Sequence, residues 1–261
     1  MRLRLRQIAL VAEKLEPVLD DLRAVLGLEV CYRDPGVERF GLENALLPIG
    51  NQFVEVVAPI QSNTAGGRYL ERRGGDGGYM VITQCDDHGP RRRRVEELGI
   101  RIVTQFTTEH FRNMQLHPKD TGGSFFEIDQ QLGAGGWDVD GPWEPAGGGG
   151  WKGAQRLDRV TAIRAAEIQS PDPASTAARW SEIAEIPLEK GPAGVSGAVP
   201  VLPFDGAAVR FVAIEDGRGE GLGGIDLRVA DRGAVLTAAR RRGAYRTDDQ
   251  VYLCGMRMNL V

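Results

Sequence analysis

A spacing repeated on either side of a glycine-rich break constrains this chain more than any single motif. From Met80 to Asp87 to Gly99 the gaps are seven and twelve residues, and Gly224 to Asp231 to Gly243 repeats both. In each copy a strand-like run leads to an Asp able to cap a helix, and a glycine stands where that helix must stop. A unit returning at matched intervals marks internal duplication. The same grammar opens the chain. Leu3 to Val11 alternates as a strand with Gln7, Ala9 and Val11 on one face, and Leu15, Val18, Leu19, Leu22, Val25 and Leu26 recur at helical spacing before Gly27. Asn44 to Ile49 and Gln52 to Ala58 are strands joined at Gly50-Asn51. Gly78 to Cys85 is a strand, Asp87 and Pro90 open a helix that ends at Leu98-Gly99, and three more strands run to Ile128. Later, Leu157 to Arg164 and Val209 to Ile214 read as strands, and Asp172-Pro173 opens a helix through Ile183. Four related units of an α+β fold are predicted, the last shortened because only 18 residues follow Gly243.

Residues 133–152 interrupt this pattern with Gly135-Gly136, Pro142, Pro145 and four glycines at Gly147 to Gly150. Two domains are therefore expected, 1–132 and 153–261, joined by a Gly/Pro/Trp linker. Trp137, Trp143 and Trp151 are unusual in a solvated linker; they either pin it to a domain surface or lid a pocket. No apolar run approaches the length of a membrane span, and Met1 to Arg6 lacks the apolar core of a secretion signal, so a soluble cytoplasmic protein is expected. With 32 basic and 36 acidic residues, the net charge of −4 argues against broad nucleic-acid binding. Arg91 to Arg94 reads as a solvated helix face, and Gly217 to Gly221 as a turn, because no Lys-Ser/Thr follows to complete a phosphate loop. Cys31, Cys85 and Cys254 are too few and too scattered for a disulfide framework or a zinc cluster.

One charged residue stands out. After the turn His117-Pro118-Lys119-Asp120-Thr121-Gly122-Gly123, an apolar strand Ser124-Phe125-Phe126-Glu127-Ile128 carries a lone carboxylate. An acid on a half-buried strand needs a cation, a metal or a ligand to offset its desolvation.

That hairpin, together with Gln7-Ile8-Ala9-Leu10-Val11, Glu55-Val56-Val57-Ala58-Pro59, Tyr69-Leu70-Glu71-Arg72-Arg73-Gly74, Cys85-Asp86-Asp87 and Glu97-Leu98-Gly99-Ile100-Arg101, resembles the vicinal oxygen chelate (glyoxalase, bleomycin-resistance and dioxygenase) superfamily. The first domain resembles the methylmalonyl-CoA epimerases within it. The resemblance implies tandem βαβββ modules forming two glyoxalase-like domains, the second degenerate, with paired modules curling into a cup around a site. It also implies a divalent-metal set, one residue from each of four strands, at Gln7, Glu55, Met80 and Glu127. Gln7, Glu55 and Glu127 are compatible with metal ligation, and Mg²⁺, Mn²⁺ or Ca²⁺ suits such oxygens better than Zn²⁺, Ni²⁺ or Fe²⁺. Met80 replaces the family histidine with a thioether, so a ligand could equally meet the cup without any metal. None of the histidines His88, His110 and His117 falls on these positions: His88 and His110 read as surface residues, and His117 as a ligand-binding candidate beside the cup.

In the second domain the matching places fall at or near Arg159, Arg210, Gly224 and Arg257, which hold no metal. Inward arginines would form an anion pocket; outward ones would face solvent or pair with acids of the first domain. The missing His-His-Glu set argues against an extradiol dioxygenase. The reading is a glyoxalase-like protein that binds or transforms a small polar or carboxylate-bearing metabolite in the first cup. If it is an enzyme, it is a lyase or isomerase in which Glu55 or Glu127 moves the proton. The alternative is a non-catalytic protein that sequesters its ligand, as resistance proteins do. A homodimer is compatible with either.

Overall fold

A computed structural model describes residues 2–194 and 197–261. The first unit is β1 (Leu3–Val11), α1 (Leu15–Leu26), β2 (Leu42–Ile49) and β3 (Gln52–Pro59), followed by α2 (Ala65–Arg73). The second is β4 (Gly77–Cys85), α3 (His88–Glu97), β5 (Ile102–Thr107), β6 (Phe111–Leu116), the short α4 (Pro118–Thr121) and β7 (Phe125–Gln131). Together they make one sheet in the order β2-β3-β1-β4-β7-β6-β5. The third unit is β8 (Val160–Ser170), α5 (Pro173–Ala184), β9 (Glu189–Gly194), β10 (Gly197–Phe204) and β11 (Ala207–Ala213). The fourth is β12 (Gly221–Val229), α6 (Arg232–Arg242), β13 (Tyr245–Thr247), β14 (Gln250–Leu253) and β15 (Met256–Leu260). These form the second sheet, β13-β14-β15-β12-β8-β11-β10-β9. The fold is thus α+β with tandem βαβββ-like modules. Each sheet joins its two modules through antiparallel first strands, β1 with β4 and β8 with β12.

The repeated spacing has a physical basis. Asp87, Asp172 and Asp231 each cap the helix that follows, accepting from the backbone N–H of Gly89, Ser175 and Ala234. The final unit loses no strand; its three closing strands are only three, five and four residues long in the order β13, β15, β14. The reduced module is the first. There the strand after the helix survives as a single bridge, Tyr32 to Leu46, and a 3-10 turn at Pro35–Phe40 takes its place.

A bulge between Leu5 and Gln7 sorts the two faces of β1. Leu3, Leu5, Ile8 and Leu10 pack into a core shared by both sheets, while Ala9 packs on the opposite face beside Leu46, Phe53 and Ile82. Across the shared core Phe126 of β7 stacks on Trp180 of α5 at 4.3 Å, and the Trp180 indole donates to the Thr121 carbonyl.

Two arginine features differ from the sequence expectation. Arg91 is fully buried, not solvated: it donates to the Ala184 carbonyl at the end of α5, and Arg94 donates to Glu182 there, cations meeting a helix C-terminus. The Gly217 to Gly221 segment is a turn, as expected, but its Arg218 is not solvated: it ties the two sheets together. Arg73 donates to the carbonyls of Arg218, Gly219 and Glu220, while Arg218 donates to those of Arg73, Gly75, Asp76 and Gly255. Arg218→Ala should therefore cost ~3 kcal/mol in urea unfolding, with Arg218→Lys recovering only part, since an ammonium cannot span the carbonyls that a guanidinium fork reaches.

Candidate functional site

Glu55 on β3 and Glu127 on β7 are three strand steps apart, about 14 Å along a flat sheet. Curling of the sheet brings them within electrostatic reach, and Glu127 raises the pKa of Glu55. Two amides hold Glu55. Asn44 donates to Oε1 at 2.6 Å and Gln7 donates to Oε2 at 2.8 Å. Each amide is itself oriented by a group that can only donate: the Trp143 indole N–H meets Gln7 Oε1 at 2.8 Å, and the Asp34 backbone N–H meets Asn44 Oδ1 at 2.8 Å. Neither amide can turn over without losing a bond, so Glu55 faces donors only. Burial is the main influence on this carboxyl and pushes it up to about 7, against the opposing pull of the two amides.

Glu127 accepts from Gln115 Nε2 at 2.8 Å, and the same nitrogen lies 3.3 Å from the Met80 sulfur. Two residues along β7, on the same face, is Asp129, which accepts from Asn113 Nδ2 at 3.1 Å. Burial raises both carboxyls, and Glu127 lifts Asp129 well above the usual carboxylate range. Two acids this close cannot both ionise readily, so the pair holds a proton between them.

The linker forms one wall of the cup. Trp143 and Trp151 are 0% and 1% exposed, packed edge-on against Phe111 and Phe53 with ring centroids 5.3 Å apart in both pairs. Arg6 donates to the carbonyls of Asn51, Val139 and Gly141, and the Arg4 guanidinium sits 3.9 Å from the Trp137 ring centre. The tryptophans pin the linker, and Trp143 does so beside Gln7, to which its indole donates. The 3-10 turn reaches β5, where Arg39 lies 5.3 Å from the Phe106 ring centre.

Of the residues expected from sequence, Gln7 and Glu55 are in direct contact, and Met80 and Glu127 are bridged by Gln115. His117 caps α4, its Nδ1 accepting from the Lys119 N–H. His88 is buried at the start of α3, not at the surface, and burial lowers its pKa; His110 is exposed. Asn44, Gln115 and Asp129 were not singled out from the sequence, and Trp143 was singled out only as a linker pin or pocket lid, not as a partner of Gln7. Asp129 had a signal, its place two residues from Glu127 on one strand face; the bond from Trp143 to Gln7 had none, since the two are 136 residues apart.

The second cup also differs from expectation. Arg210 pairs with Glu167 and Asp226, and Arg257 with Glu167 and Gln169, all within the second sheet. These pairings, among the described residues, engage both guanidinium groups with acids and an amide instead of an anion. Gly224 sits beside them, where an added Cβ would lie 2.9 Å from a Glu167 oxygen. Arg159 turns away to the carbonyls of Ala24 and Val25. A groove of about 400 Å³ at the α1/α6 joint, lined by Ala24, Arg159 and Arg242, holds no comparable carboxyl–amide network.

The four family positions of the first cup do not fit a divalent ion. Gln7 turns its nitrogen, not its oxygen, toward Glu55, and Met80 offers sulfur, so only the two glutamates of the set present oxygen. Among the described residues no three His, Cys, Asp or Glu side chains are grouped to hold a metal.

A family model for a glyoxalase-like domain matches residues 8–184, well over half of the sequence. The chain belongs to the glyoxalase-like domain family. A variant of 4-hydroxymandelate synthase from Streptomyces coelicolor has the same fold across both sheets, with a TM-score of 0.67 over 93% of this chain and 76% of that one, at 15% identity. A variant of Streptomyces coelicolor methylmalonyl-CoA epimerase in complex with 2-nitronate-propionyl-CoA aligns with 50% of this chain and 98% of its own, at 22% identity and a TM-score of 0.45. The Mycobacterium tuberculosis epimerase aligns over 49% and 88%, at 22% identity and 0.44. No curated protein matches the sequence. The superfamily resemblance read from the first domain therefore stands. No helix among the described residues is long and apolar enough to cross a membrane.

Proposed function

We propose that the first cup of this glyoxalase-like chain is a proton-transfer site for a small polar molecule, with Glu55 taking up and returning the proton. One observation carries this reading: a carboxyl with a pKa near 7, fixed by two oriented amides, in a cup where its bonding partners include no cation. Both of its protonation states are populated at neutral pH, which is what a general acid-base needs. Asn44 and Gln7 each use one lone pair per oxygen, so each oxygen keeps another for a substrate proton. The Glu127–Asp129 pair supplies a second exchangeable proton from a different strand, as a 1,1- or 1,2-proton shift or a lyase-type elimination requires. Three carboxyls resist a further anion, so a neutral or cationic substrate suits the cup better than a carboxylate.

A second reading, sequestration without turnover, is favoured by Met80 and by the buried tryptophan wall, which make the pocket more apolar than an acid-base site requires. Proton NMR in D₂O, over a panel of small carbonyl and amino compounds, separates the two. Proton transfer predicts deuterium wash-in at one carbon of a ligand; ligands that raise the melting temperature with no exchange in any of them would leave sequestration.

A further inference from the structure

The acids of the first cup are largely closed off from solvent. Glu55 and Glu127 are 8% and 7% exposed, and Gln7 is buried against Glu55. A ligand that meets these groups needs one wall to move, and the walls are not held alike.

On one side the linker is fixed by Trp143 and Trp151, both buried, and by Arg6, whose guanidinium donates to the carbonyls of Asn51, Val139 and Gly141. On the other is the 3-10 turn Pro35–Phe40, which contains no buried residue. Its path follows from the sheet order. The turn leads into β2 at one edge of the first sheet, yet Arg39 meets Phe106 on β5 at the opposite edge. Val37 packs on a cluster that includes Val11, Val57 and Phe125. These lie four, two and two residues from Gln7, Glu55 and Glu127 on the same strands, so they share the cup face. The turn therefore lies across that face.

Both of its ends are tied to the sheet by backbone bonds. The Leu46 N–H donates to the Tyr32 carbonyl before the turn, and the Ile60 N–H donates to the Gly41 carbonyl after it. Gly41 has a φ of 71°, which lets the chain reverse there without strain. Between these anchors the turn is held to the cup through side chains: Val37, the Arg39 guanidinium on the Phe106 ring, and Asn44, whose Oδ1 takes the Asp34 N–H at 2.8 Å. The last of these reaches the acid itself. Asn44 points its nitrogen at Glu55 while its oxygen is occupied by Asp34. Lifting the turn removes that bond and leaves Asn44 free to turn over.

We propose that the 3-10 turn is the lid of the first cup, hinged near Tyr32 and at Gly41 and latched by Arg39 on Phe106, with Asn44 a positioning residue that directs Glu55 only while the lid is down. The lid serves the site proposed above, and access to Glu55 can be read without turnover, so the two readings fail separately.

The test treats the full chain at pH 7 with a water-soluble carbodiimide and glycinamide, and follows Glu55 by peptide mass spectrometry. The reagent is too large to reach Glu55 under a closed lid. Glu167, 6% exposed in the second sheet, reports opening of the whole fold. Arg39→Ala should speed labelling of Glu55 about two- to fivefold, the worth of one exposed cation–π contact, and leave Glu167 unchanged. Arg39→Lys, which keeps a cation over the ring, should restore most of the wild-type rate. Site-resolved amide exchange should show the Asp34 N–H accelerating in Arg39→Ala by the same factor, while the Leu46 N–H at the hinge does not. Equal acceleration of Glu55 and Glu167 would mean loosening of the whole fold, and an unchanged Glu55 rate would mean that the turn is not the way in; either result overturns the lid. Exchange at Asp34 that does not follow Glu55 labelling would overturn the role of Asn44.

Discussion

Glu55→Gln is expected to slow any exchange reaction of the first cup by at least ~10²-fold, the usual worth of a positioned general acid-base. It should also change how stability depends on pH. The Glu55 carboxyl titrates at about 7 in the folded protein against an ordinary value of 4.5, so the unfolded chain gives up this proton first. Its contribution is therefore fully present below pH 4.5, declines as pH rises to about 7, and is flat above. The loss across that window is about 3 kcal/mol. In Glu55→Gln this share of the slope disappears. What remains includes Glu127 and Asp129, which shift in the same direction, and His88, whose lowered pKa acts in the opposite direction.

The variant is not simply more stable. Asn44 and Gln7 both present nitrogen, and both are locked, by Asp34 and Trp143. The new amide would set one of its own N–H groups against a donor, at ~1–3 kcal/mol. The two stability curves should thus cross: wild type is more stable in acid, and the gap closes or reverses toward pH 8. Urea unfolding at half-unit pH steps reads this directly. Parallel curves across pH 4 to 8 would remove Glu55 as a shifted acid.

Trp143→Ala should be the most damaging single change in the linker, lowering stability by ~3–5 kcal/mol as a large buried ring is lost. Its ring packs edge-on against Phe111 in a cluster that also holds Ala9, Leu46, Phe53 and Trp151, so the cavity would open into the cup itself. Trp143→Phe separates packing from positioning. It keeps a ring against Phe111 but deletes the N–H that fixes Gln7. Stability should fall less, while Gln7 becomes free to turn its oxygen toward Glu55, raising the Glu55 pKa and moving the midpoint of any pH–rate profile upward. An unchanged midpoint in Trp143→Phe would mean that Trp143 only fills space.

Much of the architecture was legible because it is written in local terms. Asp87, Asp172 and Asp231 cap helices through bonds to residues two or three positions on, and Gly27 and Gly243 end helices through their own positive φ. Such signals need no knowledge of the rest of the chain. The superfamily resemblance added the cup and the four inner positions at Gln7, Glu55, Met80 and Glu127. The run Arg91 to Arg94 misled for a related reason: charge and helical spacing imply solvent, but burial of Arg91 depends on a carbonyl 93 residues away.

The sequence by itself determined the number of modules, the faces of their strands and which residues could be acid, amide or thioether in the cup. Only the tertiary structure decided what those groups do to one another. Whether Glu55 is an ordinary acid or one poised near neutrality depends on burial and on the orientation of two amides, and one of those is set by Trp143 from 136 positions away. A pKa responds to the field of whatever packs nearby, and no local pattern along the chain records which side chains those will be.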